Sequence, residues 1–327
     1  MKMLTVSAQE AGQRLDKLLA RYLDQAGKGF LYKMMRKKNI TLNGKKCDGS
    51  ERLEEGDAIR IFFADETLEK FSSNREAQVP KRGCQKPDLI YEDAHILIAN
   101  KPAGMLSQKA KESDVSLNEI LINYLIDSGH MKPEQLRTVK PSICNRLDRN
   151  TSGLVTAGRS LAGLQIMNAM FKDRSLHKYY QCIVKGRIEK KELIAGFLRK
   201  DEATNKVTVH TLEVEGSVPI MTEYVPIAWG KSFTLLQVTL ITGRSHQIRA
   251  HLASIGHPIA GDYKYGDRAL NDRLKKQYGV SAQMLHSWKL VMPDDLAAPL
   301  EYLRGKTFLA PLPKIFERVM EGEHIRS

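Results

Sequence analysis

Arg146 and Arg149 bracket a single carboxylate, Asp148, inside a charged loop that runs directly into apolar sequence. The turn-prone residues Asn150, Thr151, Ser152 and Gly153 come next, and Leu154 to Ala157 form a short apolar run. An apolar run bounded by turn residues reads as a buried strand, so the loop belongs at that strand's end. Nearby positive charge favours the ionised form of a carboxylate. An ionised aspartate set into a pocket can act as a nucleophile. The plainer alternative is a surface ion pair in a turn, which stabilises little and does no chemistry.

Size and charge narrow the choice. The chain has 327 residues, 42% of them apolar, which is room for one large domain and a smaller one. No stretch approaches the roughly 20 apolar residues of a membrane span. Met1, Lys2, Met3 and Leu4 lead into polar residues without a signal-peptide core. Cys47, Cys84, Cys144 and Cys182 lie far apart, which argues against a zinc site or disulfide framework and fits a reducing cytoplasm. The net charge of +13 points to a polyanionic partner, because each Lys or Arg that meets a phosphate releases a counterion.

Residues 1–64 carry 13 Lys and Arg against 8 Asp and Glu, a net +5. Leu15, Leu18, Leu19, Tyr22 and Leu23 have the spacing of one apolar helix face. Phe30, Leu31, Met34 and Met35 mark a second short helix, whose other face carries Lys33, Arg36 and Lys37. Ile40 to Leu42, the turn pair Asn43-Gly44 and Lys45 to Cys47 read as a hairpin, and Ala58 to Phe63 as a last strand. Residues 65–87 are polar and aperiodic, the pattern of a flexible linker. The sequence from 88 to 327 mixes strand and helix patterns. Residues 89–91 and 96–99 are strand-like, Ser116 and Glu119 fit a capping box, and Ser160 fits an N-cap before an apolar helix face. Tyr180, Cys182 and Val184 alternate with Tyr179, Gln181 and Ile183 along another strand. From Thr242 a turn opens a helix that begins with Arg244, His246 and Gln247, and a helix start of this kind suits an RNA phosphate. His246 and His251 are spaced by five with no third ligand nearby, so no metal is expected.

Several of these segments, in this order, resemble the RluA family of pseudouridine synthases. The loop Arg146-Leu147-Asp148-Arg149 with Thr151-Ser152-Gly153-Leu154 matches the family's central motif, although Asn145 stands where the family has His and Asn150 where it usually has Asp. Asn100-Lys101-Pro102-Ala103-Gly104, Lys178-x-Tyr180 with Val184-x-Gly186, and Gly243-Arg244-x-His246-Gln247-x-Arg249-x-His251 match further motifs. The last continues into Gly256-His257-Pro258, Gly261-Asp262 and Tyr265-Gly266. Leu285-His286 and Ala310 to Pro313 match weaker ones. Residues 12–63 resemble the alpha-L RNA-binding module of ribosomal protein S-four.

The resemblance implies an α+β fold, a mixed and mostly antiparallel sheet with flanking helices and a cleft. It implies an RNA-binding unit over 1–64, a linker over 65–87 and a catalytic domain over 88–327. It casts Asp148 as the nucleophile, with a covalent or ion-stabilising role, Arg249 as the partner that holds it ionised, and Tyr180 as a ring stacked on the target base and a candidate to take the proton from carbon five. Lys33, Arg36, Lys37, Arg146, Arg149, Arg244, His246 and Gln247 are the expected RNA contacts. The implied reaction moves the ribose bond from a base nitrogen to carbon five of uridine, so it needs no cofactor and no metal. The branch suggested by Tyr265-Gly266-Asp267-Arg268 acts on large-subunit ribosomal RNA. A monomer in the cytoplasm is expected. The competing reading is a non-catalytic RNA-binding or ribosome-assembly protein that keeps the fold. A pure binder, however, has no use for a carboxylate facing an RNA backbone.

Overall fold

The protein is described by a computed structural model covering residues 1–72 and 86–327. Helix Leu15–Tyr22 buries Leu15, Leu18 and Leu19, the side that a 3.6-residue period dictates. They pack with Leu31 and Met35 of helix Lys28–Arg36 and with Ile40, Ile59 and Ile61 of a small sheet. That sheet has four antiparallel strands in the order Lys2–Thr5, Ala58–Ile61, Ile40–Leu42, Lys45–Lys46. Asn43 and Gly44 both have positive φ, 51° and 73°, as the tightest hairpin turn requires. Strand Lys2–Thr5 escapes a reading by periodicity because it is largely exposed.

Residues 65–71 correct the linker expectation, for they form helix Asp65–Phe71. The Phe71 ring lies 4.4 Å from that of Phe30, and the Gln25 amide donates to the Phe71 carbonyl at 3.0 Å. Residues 73–85 of the expected linker lie outside the described residues.

The large sheet has eleven strands and is mostly antiparallel. Its main path runs Lys206–His210, Glu192–Asp201, Ser217–Trp229, Phe233–Leu240, His177–Lys185, Leu285–Val291, Ser152–Gly158, Ile96–Lys101, Leu89–Glu92. The pairing of Leu285–Val291 with Ser152–Gly158 is parallel. Both faces of the middle are covered. Ile96, Ile98 and Leu154 share a core with Met167 and Met170 of helix Leu161–Asp173. Leu97, Ala99, Val155 and Ala157 share the opposite core with Leu117, Leu121 and Leu125 of helix Leu117–Asp127. Burial on two faces explains why 96–99 and 154–157 are apolar without alternation.

Register then places the chemistry. Ser287 pairs with Gly153 on one side and with Tyr180 on the other. Tyr180 therefore lies two strands from the point where the Asp148 loop enters the sheet. Gly153 has φ 109°, and a Cβ there would meet the Ser287 carbonyl oxygen at 2.2 Å. Only glycine allows this approach. The two units touch through polar contacts. The Leu161 amide donates to the Gln9 carbonyl at 3.1 Å, Arg21 Nη1 donates to the Thr138 carbonyl at 2.9 Å, and the Thr138 hydroxyl bonds the buried Glu10. Among the described residues, no helix is long and apolar enough to cross a membrane.

Candidate active site

The Asp148 loop is pinned along its length by side chains that reach its backbone. Asn145 Oδ1 accepts from the Thr156 amide at 2.8 Å, and Asn145 Nδ2 donates to the Leu154 carbonyl at 3.2 Å. Ser107 Oγ accepts from the Leu147 amide at 3.0 Å and donates to the Leu147 carbonyl at 2.9 Å. The Thr151 amide closes a turn onto the Asp148 carbonyl at 3.0 Å. Beneath the loop lies Lys101, fully buried, whose Nζ donates to the carbonyls of Met105, Pro102 and Arg149 at 2.8, 3.0 and 3.0 Å. Burial pulls this ammonium down to about 8, with the charge of Asp148 opposing the shift. It is a cation solvated by carbonyl oxygens in place of water.

Asp148 receives Arg249 from helix Gln247–Ser254. Arg249 Nη1 donates to Asp148 Oδ2 at 2.7 Å across 101 residues of sequence. The opposite edge of the guanidinium forms a fork on Asp262, Nε to Oδ2 at 2.7 Å and Nη2 to Oδ1 at 2.9 Å. Arg249 is 7% exposed and Asp262 only 1%. Burial pushes the Asp262 carboxyl up, but the Arg249 hydrogen bonds and charge, with the Lys264 and Tyr265 amides, bring it below the ordinary carboxylate value. Burial likewise disfavours the Arg249 cation, and the two aspartates outweigh it and raise its pKa. One buried arginine thus spans a structural carboxylate and a solvent-reachable one. The fork fixes its plane, which a lysine could not do.

Two rings complete the surroundings. The Tyr265 ring lies 5.1 Å below the Arg249 guanidinium, and the Tyr265 hydroxyl meets His246 Nδ1 at 2.8 Å. His246 Nε2 lies 3.8 Å from Asp148 Oδ2. Burial lowers the His246 pKa, with Arg249 and Lys264 acting in the same direction and Asp148 against them. Tyr180 is 7% exposed and pairs across the sheet with Ser287; burial pushes its phenol up to about 12, and the charge of Asp148 adds to the shift.

Asp148, Arg249 and His246 are brought together, with Tyr180 close enough to feel the charge of Asp148. Arg146 and Arg149 do not clamp the carboxylate between them as the sequence suggests. Arg146 is exposed, and Arg149 Nε donates to the Gly104 carbonyl at 3.1 Å. Arg244 is exposed. Gln247 is 2% exposed, and its amide is taken up by Thr242, the Arg244 amide, Met221 and Thr222. It fastens the helix start to the neighbouring strand and leaves no group for RNA. His251 is also buried, on Thr222 Oγ1 at 3.0 Å. Lys33, Arg36 and Lys37 are exposed on the small unit. Asp262, Tyr265 and Lys101 carry no role in the sequence reading. Their only signal was membership in the motifs quoted for the family, since nothing in local spacing shows that they converge. A cavity of about 600 Å³ has Lys101, Met105, Gln283 and Phe316 in its wall but none of Asp148, Tyr180 or Arg249. Volume and charged chemistry therefore point to different places, and the paired carboxylates with the arginine are the candidate reactive cluster.

Residues 95–254 match the family model described as RNA pseudouridylate synthase. Ribosomal large subunit pseudouridine synthase C of Vibrio vulnificus is 30% identical over 295 residues, 88% of this chain and 87% of that one. Ribosomal large subunit pseudouridine synthase D of Nitrosomonas europaea is 28% identical over 324 residues, 92% of this chain and 88% of that one. Among solved structures, human RNA Pseudouridylate Synthase Domain Containing 4 superposes with a TM-score of 0.58 at 20% identity, covering 77% of this chain and 96% of that one. That likeness speaks for the fold alone. The sequence likeness extends over almost nine-tenths of the chain and takes in the whole Asp148–Arg249–Asp262 cluster, so the chain belongs to the RluA family of RNA pseudouridine synthases.

Proposed function

We propose that this enzyme isomerises specific uridines in large-subunit ribosomal RNA, with Asp148 as its working carboxylate. The names of its relatives support the RNA class. One observation carries the assignment of the acid: Arg249, locked by the buried Asp262, reaches Asp148 Oδ2 at 2.7 Å from 101 residues away. A non-catalytic binder would have to desolvate this charged trio for no purpose, since buried ion pairs add little stability. In this reading residues 1–64 bind RNA through Lys33, Arg36 and Lys37, and residues 88–327 do the chemistry, with Arg146 and Arg149 on exposed ground beside Asp148. The free thiols of Cys47, Cys144 and Cys182 suit a monomer working in a reducing cytoplasm.

The uridine must leave its stack, which costs a few kcal/mol and is offset by backbone contacts and stacking. The bond from ribose to the base nitrogen then breaks, the base turns, and a bond from the ribose to carbon five forms. The proton lost from carbon five is matched by one gained at the freed nitrogen, so no other reactant is consumed. Asp148 has a covalent or ion-stabilising role at the reacting nucleotide. Tyr180 offers a flat face for the base. Its phenol, pushed up to about 12, is protonated at neutral pH, so it takes the proton from carbon five only as a relay that gives up its own. Pseudouridine mapping in cells with and without the gene tests the substrate. Loss of modification at discrete large-subunit positions is expected, and an unchanged map contradicts the proposal.

A further inference from the structure

We propose that His246 is a positioning residue for the reaction: a neutral imidazole held in its Nε2–H form, it aims a second donor at the carboxylate oxygen that Arg249 already holds. The inference rests on Asp148 being the working acid.

A short chain of donors fixes the tautomer. The Val207 amide donates to the Tyr265 hydroxyl oxygen at 3.0 Å, and the same hydroxyl lies 2.8 Å from His246 Nδ1. If Nδ1 carried the proton, the phenol would receive two donors and its own proton would be left over. Donation from Tyr265 to Nδ1 satisfies every group, and the imidazole proton then sits on Nε2. Nε2 points to Asp148 Oδ2 at 3.8 Å, the oxygen that also takes Arg249 Nη1 at 2.7 Å. Both donors address one oxygen, so Oδ1 is the one the pair leaves for the substrate. The 3.8 Å separation is longer than a hydrogen bond, and contacts of this kind tighten when substrate fills a site.

The groups facing His246 are Asp148, Asp262, Arg249, Lys264 and Tyr265. Its partial burial and the two cations keep the ring neutral, so it aligns Asp148 without competing with Arg249 as a second full charge. The backbone points the same way. His246 has φ 54°, ψ 13°, a left-handed conformation that histidine tolerates and that persists only where the surroundings enforce it. A phosphate contact fits these facts less well, because one ring nitrogen is occupied and the other faces a carboxylate.

Two substitutions separate the donor from the backbone role. Asparagine suits the left-handed conformation, but its amide ends near the Nδ1 position and cannot reach Asp148. Glutamine places its amide nitrogen near the Nε2 position. We expect His246→Asn to lower kcat roughly tenfold to a hundredfold, the worth of a hydrogen bond to a charged group, with little change in KM. His246→Gln should restore most of the loss. A wild-type kcat for His246→Asn, or equal defects in the two variants, overturns the proposal. A second arm does not depend on activity. Long-range ¹H–¹⁵N spectra of the protein labelled at its nine histidines, with His246 assigned by the signal missing in His246→Asn, report the tautomer directly. An unprotonated Nδ1 that becomes partly protonated in Tyr265→Phe is expected; an Nδ1–H form in the wild type contradicts the inference. If Asp148→Asn proves fully active, the functional reading fails, and the spectra still judge the tautomer.

Discussion

Lys101 is the residue whose cost is most plainly written in the structure. Among the described residues its ammonium meets three carbonyl oxygens and no carboxylate, and burial brings it from its usual value near 10.5 to about 8. Between pH 8 and pH 10.5 the unfolded chain binds this proton and the folded protein does not, so stability rises with pH across that window. Below pH 8 both states are protonated and the penalty is fully present. Comparing urea unfolding of the wild type and Lys101→Met between pH 7.5 and 10.5 isolates the effect. The difference should shift in favour of the wild type by about 3 kcal/mol as pH rises, since one pKa unit is worth about 1.4 kcal/mol. A pH-independent difference would mean that the lysine keeps an ordinary pKa. None of this burden is visible in Asn100-Lys101-Pro102, where a lysine before a proline reads as an exposed turn residue. The pairing of Arg249 with Asp148 is equally silent in local pattern. It follows from the family likeness, while Asp262, which completes the pair, has no local pattern to give it away.

Single elements were legible where burial is one-sided or complete. The leucines at 15, 18 and 19 and the apolar run 154–157 announce a helix face and a two-sided strand, and both form. Helix Asp65–Phe71 was missed because it buries no residue completely; only Leu68 and Phe71 lean on the small core. The parallel pairing of Leu285–Val291 with Ser152–Gly158 joins strands more than 120 residues apart, and no local pattern encodes it. Gly153 is the element-scale hinge of that pairing. We expect Gly153→Ala to destabilise by roughly 2–4 kcal/mol, combining a left-handed strain of about 1 kcal/mol with overpacking of about 1–3 kcal/mol. It should also lower kcat, because the Asp148 loop enters the sheet at this residue. An unchanged urea midpoint would show that the strands can part without penalty.

At the scale of the molecule, the positive charge is shared between the units while the Asp148 cluster sits on one of them: residues 1–64 carry +5 of the net +13. The net +5 of residues 1–64 includes the exposed Lys33, Arg36 and Lys37, whereas Asp148, Tyr180 and Arg249 belong to the large sheet and its helix. The triple variant Lys33→Ala, Arg36→Ala, Lys37→Ala should bind ribosomal RNA more weakly and reduce the slope of log affinity against log salt by roughly 2–3, about 0.7–0.9 per lost phosphate contact. Its kcat at saturating RNA should be unchanged. A wild-type salt slope would remove this helix from the interface. The most direct trial concerns Asp148 itself. Ribosomal RNA carrying tritium at carbon five of uridine is incubated with wild type and with Asp148→Asn, and released label is counted beside RNA affinity. Release by the wild type, none above background from the variant, and RNA affinity largely kept is the expected result; release at the wild-type rate from Asp148→Asn would contradict it.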